Sequence, residues 1–469
     1  MYHFLRAATI AWIVATALVA APVILHPAAA NPSRAIAPSQ DLSGILATAP
    51  PGTVLDLSGG DYGILQLRGF SAPAEKPVIL RSRDPANPAR LSGMDIRESS
   101  GLVLQGLIFD YRFRKGDKGH LRPFQLQASG NVTFRQVIFD GDIANSGEGK
   151  GYPTAFGLSL RGSKGIVLED SEIRDFYRGL VVSDSADVTI RRNNVHSIRM
   201  DGMNFAQVDG VRIEGNWIHD FKRAVDSKDH SDMIQFWTNR TEWPSRDIMI
   251  RDNVLNSGLG AYTQSIFMRN DLVDRGLAGP EMFYRNVTIE ENVIVNAHLH
   301  GITVGETDGL TIRNNTLVHN ARSDGEQRND PLWRPQIRVA ETARDVVILA
   351  NAAHRIPKAE RRLDWTVQDN IQIQDQQPGR YTYFKQIFTA ALTGDPRNLD
   401  NFRYLPDGVL ARAKIGASRL QPENGAGSPD STMVTPKPAD MRPHGPPPAN
   451  PFLTDKPPQN PSPKPNSNP

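Results

Sequence analysis

The sequence predicts an all-β solenoid, a parallel β-helix in which one chain winds through short strands turn after turn. Three observations lead to this fold class. A strand-like motif that ends in Asn or a substitute recurs along the middle of the 469-residue chain. The shortest spacings between its copies are 19, 22 and 23 residues, a period typical of one solenoid turn. Apolar and β-branched residues alternate within each copy, as expected for strands with one buried face.

The turn residue of each copy is expected to lie at a sharp bend between strands. Asn tolerates left-handed backbone, and stacked Asn side chains can form a hydrogen-bonded ladder from turn to turn. A β-sandwich is the competing all-β architecture, but its strands would not repeat one motif in fixed register. The turn residues are Ser171, Asn193, Asn216, Asn253, Asn292, Asn315, Asn351 and Asn370.

The two ends of the chain differ from the repeats. Residues 1–30 combine an early Arg, a long apolar run and an Ala-rich ending, which predicts a cleaved signal peptide and an exported bacterial protein, periplasmic or extracellular. An uncleaved membrane anchor is the alternative. Residues 41–48 predict a short capping helix, which would cover the open edge of the solenoid. We therefore expect the β-helix domain to span 31–415 and a Pro-rich disordered tail to span 416–469.

Composition narrows the classes of partner. The formal net charge is +2, so nucleic acid is not an expected partner, and no later segment is apolar enough to cross a membrane. Cysteine is absent, which excludes disulfides, thiolate metal sites and a Cys nucleophile. We expect a monomer.

Aligning a second strand of each turn predicts columns of outward residues on one exposed face. The column before the Gly-type position reads Phe156, Arg178, Asp201, Asp232, Gln264, His300 and Pro335. The column between the apolar pair reads Ser159, Val181, Asn204, Gln235, Phe267, Thr303 and Arg338. The next outward column reads Arg161, Ser183, Ala206, Trp237, Arg269, Gly305 and Ala340.

Polar chemistry concentrates on the central turns of this face. The candidate catalytic residues are His230, Asp232, Arg269, His300, Asp201 and Lys228. The candidate substrate-binding residues are Asn204, Gln235, Trp237, Gln264 and Tyr262. Any one of them could be a solvated strand residue, but carboxylates, imidazoles, a guanidinium and aromatic rings converge within three turns. We interpret the grouping as a groove that matches a linear polymer.

The chain also resembles a known group. The segments Pro51-Gly-Thr and Pro77-Val-Ile-Leu-Arg-Ser, together with the Asn-X-Ile turns, are similar to secreted bacterial right-handed β-helix proteins of the pectate-lyase-like superfamily. That group includes chondroitinase B-like and alginate lyases and mannuronan C5-epimerases. The resemblance implies a single-stranded right-handed parallel β-helix with an N-terminal cap, and a uronate-containing polysaccharide as partner. It also implies Ca²⁺ as a candidate cofactor, with its ligands unknown.

Two reaction types stay open at this point. Lyases and epimerases both begin with removal of the C5 proton of a uronate, for which His230 or His300 is the candidate base and Lys228 a third choice. Arg269 would stabilise the anion, and Asp201 and Asp232 would orient a His or bind a cation. A glycoside hydrolase using Asp201 and Asp232 is the alternative enzyme, because adjacent turns place two carboxylates near the short end of the required separation. A non-catalytic glycan-binding rod is the other alternative.

Overall fold

The computed structural model describes residues 33–147, 149–224, 227–323, 332–360 and 362–422. The predicted signal peptide, 1–30, lies outside these ranges, as does the tail from residue 423 onward. Within the described residues, no helix has the length and apolar character needed to cross a membrane.

The fold is a right-handed parallel β-helix whose strands pair in parallel with those of the turns before and after. The strands of the N-terminal half are β1 Ser33–Ile36, β2 Val54–Leu57, β3 Gly60–Asp61, β4 Ile64–Arg68, β5 Val78–Ser82, β6 Ala89–Leu91, β7 Gly93–Arg97, β8 Ser100–Gln105, β9 Ile108–Asp110, β10 Phe124–Gln127, β11 Gly130–Arg135, β12 Ile138–Asp140, β13 Asp142–Ile143, β14 Pro153–Thr154, β15 Phe156–Arg161, β16 Lys164–Glu169, β17 Glu172–Arg174, β18 Arg178–Arg191, β19 Asn194–His196, β20 Met203–Glu214 and β21 Trp217–His219.

The strands of the C-terminal half are β22 Asp232–Trp237, β23 Arg246–Arg251, β24 Val254–Asn256, β25 Gln264–Met268, β26 Tyr284–Glu290, β27 Val293–Asn296, β28 His300–Val304, β29 Thr307–Arg313, β30 Thr316–His319, β31 Gln336–Val339, β32 Arg344–Leu349, β33 Ala352–Ala353, β34 Trp365–Gln368 and β35 Ile371–Gln372. The helices are α1 Leu42–Ala47, α2 Asp271–Asp274, α3 Phe384–Ile387 and α4 Val409–Ala413, with short 3-10 helices at Pro280–Met282, Leu399–Phe402 and Ser418–Leu420.

Each central turn contributes three strands, and these stack into three faces of the rod. The first face contains β4, β7, β10, β15, the start of β18, the start of β20, β22, β25, β28 and β31. The second face contains the strands that follow them, such as β23, β26 and β29. In the described part of the chain, the third face contains twelve short strands, among them β21, β24, β27 and β30. Apolar side chains from all three faces, including Phe205, Ile234 and Phe236, fill one continuous core.

The Asn ladder predicted from the repeat is present. From Asn193 to Asn370, each turn residue accepts hydrogen bonds from the backbone N–H of the turn residue before it and, where that residue is Asn, from its side-chain amide. The expectation of left-handed backbone at the Asn was wrong by one position. The residue before it has positive φ instead, as at Arg192, Asp252 and Glu291, because the bend precedes the ladder.

The N-terminal cap matches its prediction closely. Helix α1 has Asp41 as its N-cap, whose carboxylate accepts the backbone N–H of Gly44, and Thr48 as its C-cap. Leu42 and Leu46 are buried against the start of the core. The cap therefore covers apolar residues at the N-terminal end of the rod.

The C-terminal end departs from a simple rod. The strands end at Gln372, and the following residues fold back over the outer side of the third face as α3, α4 and two 3-10 helices. Phe384, Phe388 and Leu410 form a second core there with Val293 and Val318, which project outward from β27 and β30. The domain boundary at residue 415 stays a prediction.

Candidate functional site

The predicted columns of the first face are in register in the structure. Asn204 pairs with Gln235, Gln235 with Phe267 and Phe267 with Thr303, as the sequence alignment proposed. Asp232 pairs with Gln264 in the preceding column. One partner differs: His300 lies opposite Gln336 rather than Pro335, because the register shifts by one residue between His300 and Ile302.

A repeated side-chain contact joins the two columns within each turn. The second-column residue reaches back three positions: Asn204 donates to Asp201 over 2.9 Å, and Gln235 donates to Asp232 over 2.8 Å. In a later turn, Nδ1 of His300 and Oγ1 of Thr303 lie 2.8 Å apart. The residue after Asp201 is Gly202, where a Cβ would meet core atoms of Phe221 and Ile218, so the intervening positions point inward. Three turns of the first face, those of Asp201, Asp232 and His300, thus present a paired polar unit, whereas the turn of Gln264 carries Phe267 in the second column.

The carboxyl groups of Asp201 and Asp232 lie on adjacent turns and are completely buried. This corrects the expectation of a solvent-exposed polar face at these two positions, since the cover of neighbouring side chains excludes water from both. Within the described part of the chain, one oxygen of each carboxyl group, Oδ1, has no hydrogen-bond partner. Arg178, from the preceding turn, places Nε 2.9 Å from Oδ2 of Asp201, in an ion pair that lacks hydrogen-bond geometry.

The protonation of this pair differs from that of ordinary carboxylates. Burial raises the pKa of Asp232 well above its usual range, and the neighbouring carboxyl group of Asp201 raises it further. Burial also raises the pKa of Asp201, while the charges of Arg178 and His230 oppose that rise. Two like charges this close cannot both ionise freely, so the pair retains a proton to higher pH than an isolated aspartate would.

His230 lies over the pair and is accessible. Its side chain is 54% exposed, and its Nε2 atom lies 3.9 Å from Oδ2 of Asp232. The amide of Gln235 is 3.4 Å from the same ring nitrogen. Trp237 donates its indole N–H to Oδ1 of Asn204 over 2.8 Å. This contact orients the Asn204 side-chain amide, which donates to Asp201. An accessible imidazole therefore rests on a buried, hydrogen-bonded carboxyl pair.

The loop that carries His230 is held by its neighbour Asp229. The Asp229 carboxylate accepts two hydrogen bonds from Arg199, at 2.7 and 3.0 Å, and one from the Tyr177 hydroxyl. Ser231, which follows His230, donates to the backbone carbonyl of Met200. These contacts fix the backbone on both sides of His230.

A row of rings extends the site to the next turns. His298 and His300 stack with centroids 5.2 Å apart, Tyr262 stacks on His298, and Phe267 meets His300 edge-on. The guanidinium of Arg223 lies 4.6 Å from the Tyr262 ring centre. Burial lowers the pKa of His300 to about 4, and burial together with nearby His300 and Arg223 lowers that of His298 to about 3. Both imidazoles are therefore neutral near pH 7.

The structure does not gather all the predicted residues into this cluster. Arg269 directs its guanidinium to Asp274 and Asp271, at 2.8 and 3.6 Å, away from the carboxyl pair. Lys228 is exposed on the loop before His230. Gln264 is partly buried beside Asp232, with its Oε1 atom unpaired among the described residues.

Three residues of the cluster were absent from the predicted site. Arg178 stands in the same sequence column as Asp201, one turn before the predicted site. Arg223 and His298 lie in connecting loops, so no strand register could assign them. The spacing His298-X-His300 was the one available signal for the second imidazole.

The donor set does not fit a calcium ion. Ca²⁺ takes six to eight oxygen ligands. Of the carboxyl groups in the described ranges, only two meet here. Arg178 forms an ion pair with one of them, and the amides of Asn204 and Gln235 turn their N–H groups toward them. Among the described residues, no three His, Asp or Glu side chains are grouped so as to hold a metal ion.

The comparison with protein families agrees with the observed architecture. The family model described as "Right handed beta helix region" matches residues 124–327. No curated protein sequence matches the chain.

Similar solved structures include an alginate lyase from Paenibacillus sp. str. FPU-7, with 13% identity, a TM-score of 0.37, and coverage of 69% of this chain and 99% of that one. The pectate lyase Pel9A has 12% identity, a TM-score of 0.39, and coverage of 81% and 90%. PfbA, a surface adhesin of Streptococcus pneumoniae, has 11% identity, a TM-score of 0.43, and coverage of 72% and 91%.

At these identities the likeness concerns the fold alone, and it includes both enzymes and an adhesin. The strand pairing and the family match together confirm the predicted fold class. The chain is a right-handed parallel β-helix, and residues 124–327 carry the pattern of that family.

Proposed function

We propose that the first face acts on an acidic polysaccharide by removing the C5 proton of a uronate unit, as a lyase or an epimerase. The observation that carries the proposal is the difference in solvent exposure between the imidazole of His230 and the two carboxyl groups. The imidazole of His230 is open to a ligand, whereas the carboxyl groups of Asp201 and Asp232 beneath it are completely buried. Proton abstraction needs an accessible base supported by fixed neighbours, and His230 meets that requirement.

The surrounding charges suit an anionic sugar. Arg223 and Arg338 make no ion pair with any described carboxylate, and both lie near the histidine row, since their charges help to lower the pKa values of His298 and His300. A guanidinium can bind the uronate carboxylate and stabilise the charge that develops when the C5 proton leaves. Arg269 is a weaker candidate for this role because two aspartates already engage it.

The lyase and epimerase reactions share the first step and differ after it. A base, His230 or His300, takes the C5 proton. In a lyase, the bond between C4 and the glycosidic oxygen next breaks, a C4–C5 double bond forms, and the leaving oxygen takes up a proton and becomes a hydroxyl group. An epimerase returns a proton to the opposite side of C5. Perturbed titratable groups gathered in one place favour an enzyme over a passive binding rod.

A glycoside hydrolase is the second candidate, and one observation favours it. The pKa of Asp232 is raised well above its usual range, which suits a general acid, and Arg178 favours the ionised form of Asp201 and opposes the effect of burial on it. That mechanism requires both carboxyl groups to contact the substrate. The neighbouring side chains that bury them would therefore have to move aside. We place it second for this reason.

The test is an assay of the full chain on pectic, alginate and glycosaminoglycan substrates, with and without calcium. Absorbance from an unsaturated uronate supports a lyase, and exchange of the C5 proton without cleavage supports an epimerase. Reducing ends without ultraviolet absorbance would assign the hydrolase instead. Silence on every substrate would contradict all three reactions.

Substitutions of His230 and His300 test whether either residue is the base. We expect His230→Ala or His300→Ala to lower kcat by about 100-fold or more, the usual contribution of a general base. The matched control is His120→Ala, an exposed histidine in the loop between β9 and β10. If both candidate variants keep full activity, the assignment of the site is wrong.

A further inference from the structure

A polar cavity lies where the rod ends, apart from the residues of the first-face site. Its volume is about 450 Å³, and its lining includes Asn370, Gln372, Gln376, Arg380, Tyr381 and Thr382. Ligand pockets in proteins commonly measure ~300–1,000 Å³, so this space suits one or two sugar units.

The cavity forms because the chain leaves the solenoid immediately after its last strand. Beyond β35 the chain turns at Gln374, whose side chain accepts the backbone N–H groups of Gln376 and Gln377 at 2.8 and 2.7 Å. The backbone N–H of Gln374 donates to the carbonyl of Thr382, which closes the loop. The walls are therefore fixed by hydrogen bonds within the loop itself.

The lining offers hydrogen-bonding groups and no negative charge. The Gln372 side chain makes no hydrogen bond within the described residues, and Arg380 uses only Nε, on Gln377 at 3.2 Å. Among the described residues that line the cavity there is no Asp or Glu. The one carboxylate of this loop, Asp375, is directed away to His319 and Arg334. Tyr381 stands at the rim with 71% of its surface exposed.

We propose that this cavity is a separate binding site for an acidic saccharide. The amide of Gln372 matches sugar hydroxyl groups, the free guanidinium nitrogens of Arg380 match a carboxylate, and the ring of Tyr381 can pack on the apolar side of a pyranose. The proposal goes beyond the catalytic one and does not depend on it, because binding here needs no chemistry.

The position suits a ligand that also reaches the first face. The cavity follows the third-face strand, on the same edge of the rod as the loops that lead into the first face. His300 follows β27, which lies three stacked strands before β35 on the third face (β27, β30, β33, β35), and this corresponds to about 14 Å along the rod at ~4.8 Å per turn. An oligosaccharide of a few units can span that length.

Hydrogen–deuterium exchange of the full chain with tetragalacturonate and with tetramannuronate tests the proposal locally. We expect at least one of the two to protect peptides covering 371–382. Arg380→Gln and Tyr381→Ala should each weaken that protection, with an apparent Kd about tenfold higher, as is typical of losing one charge-assisted contact. Both side chains are exposed, so neither substitution should disturb folding. Trp243→Ala, an exposed aromatic outside the lining, is the matched control.

Three results would overturn the assignment. One is the absence of protection at 371–382 with both probes. Another is protection that Arg380→Gln and Tyr381→Ala leave unchanged. The third is equal protection by neutral cellotetraose, which would remove the case for an acidic ligand. Protection at 371–382 in a protein that shows no activity would contradict the proposed function alone, and turnover without that protection would contradict the cavity alone.

Discussion

The Asp232 carboxyl group is completely buried, and its polar neighbours satisfy only part of its hydrogen-bonding capacity. Gln235 bonds to one oxygen, the other has no partner, and a second carboxyl group lies on the adjacent turn. Such an arrangement costs stability, because a buried charge without full hydrogen bonding is unfavourable. We infer that it persists for function, and this has a measurable consequence.

Replacing Asp232 by Asn should stabilise the fold at neutral pH. The folded-state pKa of Asp232 is raised, so the folded protein binds a proton more tightly than the unfolded chain. Stability therefore falls as pH rises from about the ordinary value of 3.8 toward the raised pKa, and Asp232→Asn removes that loss. We expect a measurable gain in the free energy of unfolding at pH 7, because ionisation of Asp232 is less favourable in the fold than in the unfolded chain.

The measurement is chemical unfolding of both proteins at pH 4 and pH 7. Asp232→Asn should gain more at pH 7 than at pH 4 and should lose activity at both. Asp274→Asn, which changes an exposed carboxylate on α2, serves as the control. A variant that is less stable at pH 7 would contradict the account of the pair.

His300 gives a second test through the pH dependence of turnover. Burial and the charge of Arg338 lower its pKa to about 4, so the ring stays neutral, and able to accept a proton, through mildly acidic pH. If His300 is the base, the acid limb of kcat/KM, which reports the free enzyme, should fall with a midpoint near pH 4. A midpoint above pH 6 would exclude His300 as the base.

At the scale of the element, the Asn ladder ties successive turns together. The side chain of Asn253 donates to the carbonyl of Ile213 and to Asn292, and it accepts the backbone N–H and the side-chain amide of Asn216. All four contacts are buried. Removing the side chain leaves several polar groups without partners.

We expect Asn253→Ala to lower the free energy of unfolding by about 3 kcal/mol, since each buried group left unsatisfied costs about 1–3 kcal/mol. Asn370→Ala, at the partly exposed last step of the ladder, should cost less than half as much. Guanidinium unfolding of the two variants and the parent makes the comparison. Equal losses at both positions would show that burial does not set the strength of the ladder.

At the scale of the whole molecule, the C-terminal segment completes the rod from the side. Thr316 on the third face contacts the hydroxyl of Tyr404, and Asn256 donates to the carbonyl of Pro396. The helices α3 and α4 cover Val254, Val293 and Val318, which would otherwise form an apolar strip on the surface.

Two truncations should therefore behave oppositely. A chain that ends at residue 372 exposes this strip and should aggregate or lose several degrees of thermal stability. A chain that ends at residue 422 keeps every described contact and should melt like the full protein. Light scattering during a thermal scan compares them. A soluble, fully stable product ending at 372 would show that the second core is dispensable.

Periodic features could be predicted from the sequence, and non-periodic ones could not. The ladder, the register of Asn204 with Gln235 and the helix 42–47 each follow from a local pattern that one fold can satisfy. Burial of Asp201 and Asp232 depends on loops whose course no repeat dictates, as do the places of Arg223 and His298. The fold-back after Gln372 was not predicted either, because outward apolar residues such as Val293 and Val318 look like ordinary strand residues until a partner covers them.

The direction of the ladder bears on the order in which the protein acquires its structure. The backbone N–H of each turn residue is satisfied by the side chain of the following turn, as Asn193 is by Asn216 and Asn216 by Asn253. During synthesis, the backbone N–H of the newest turn residue therefore has no Asn partner until the next turn forms. The C-terminal end of the growing rod is then its least stable part. The turns should form in order from the capped N-terminal end toward Asn370. The helices α3 and α4 should pack against the third face after the last turn has formed.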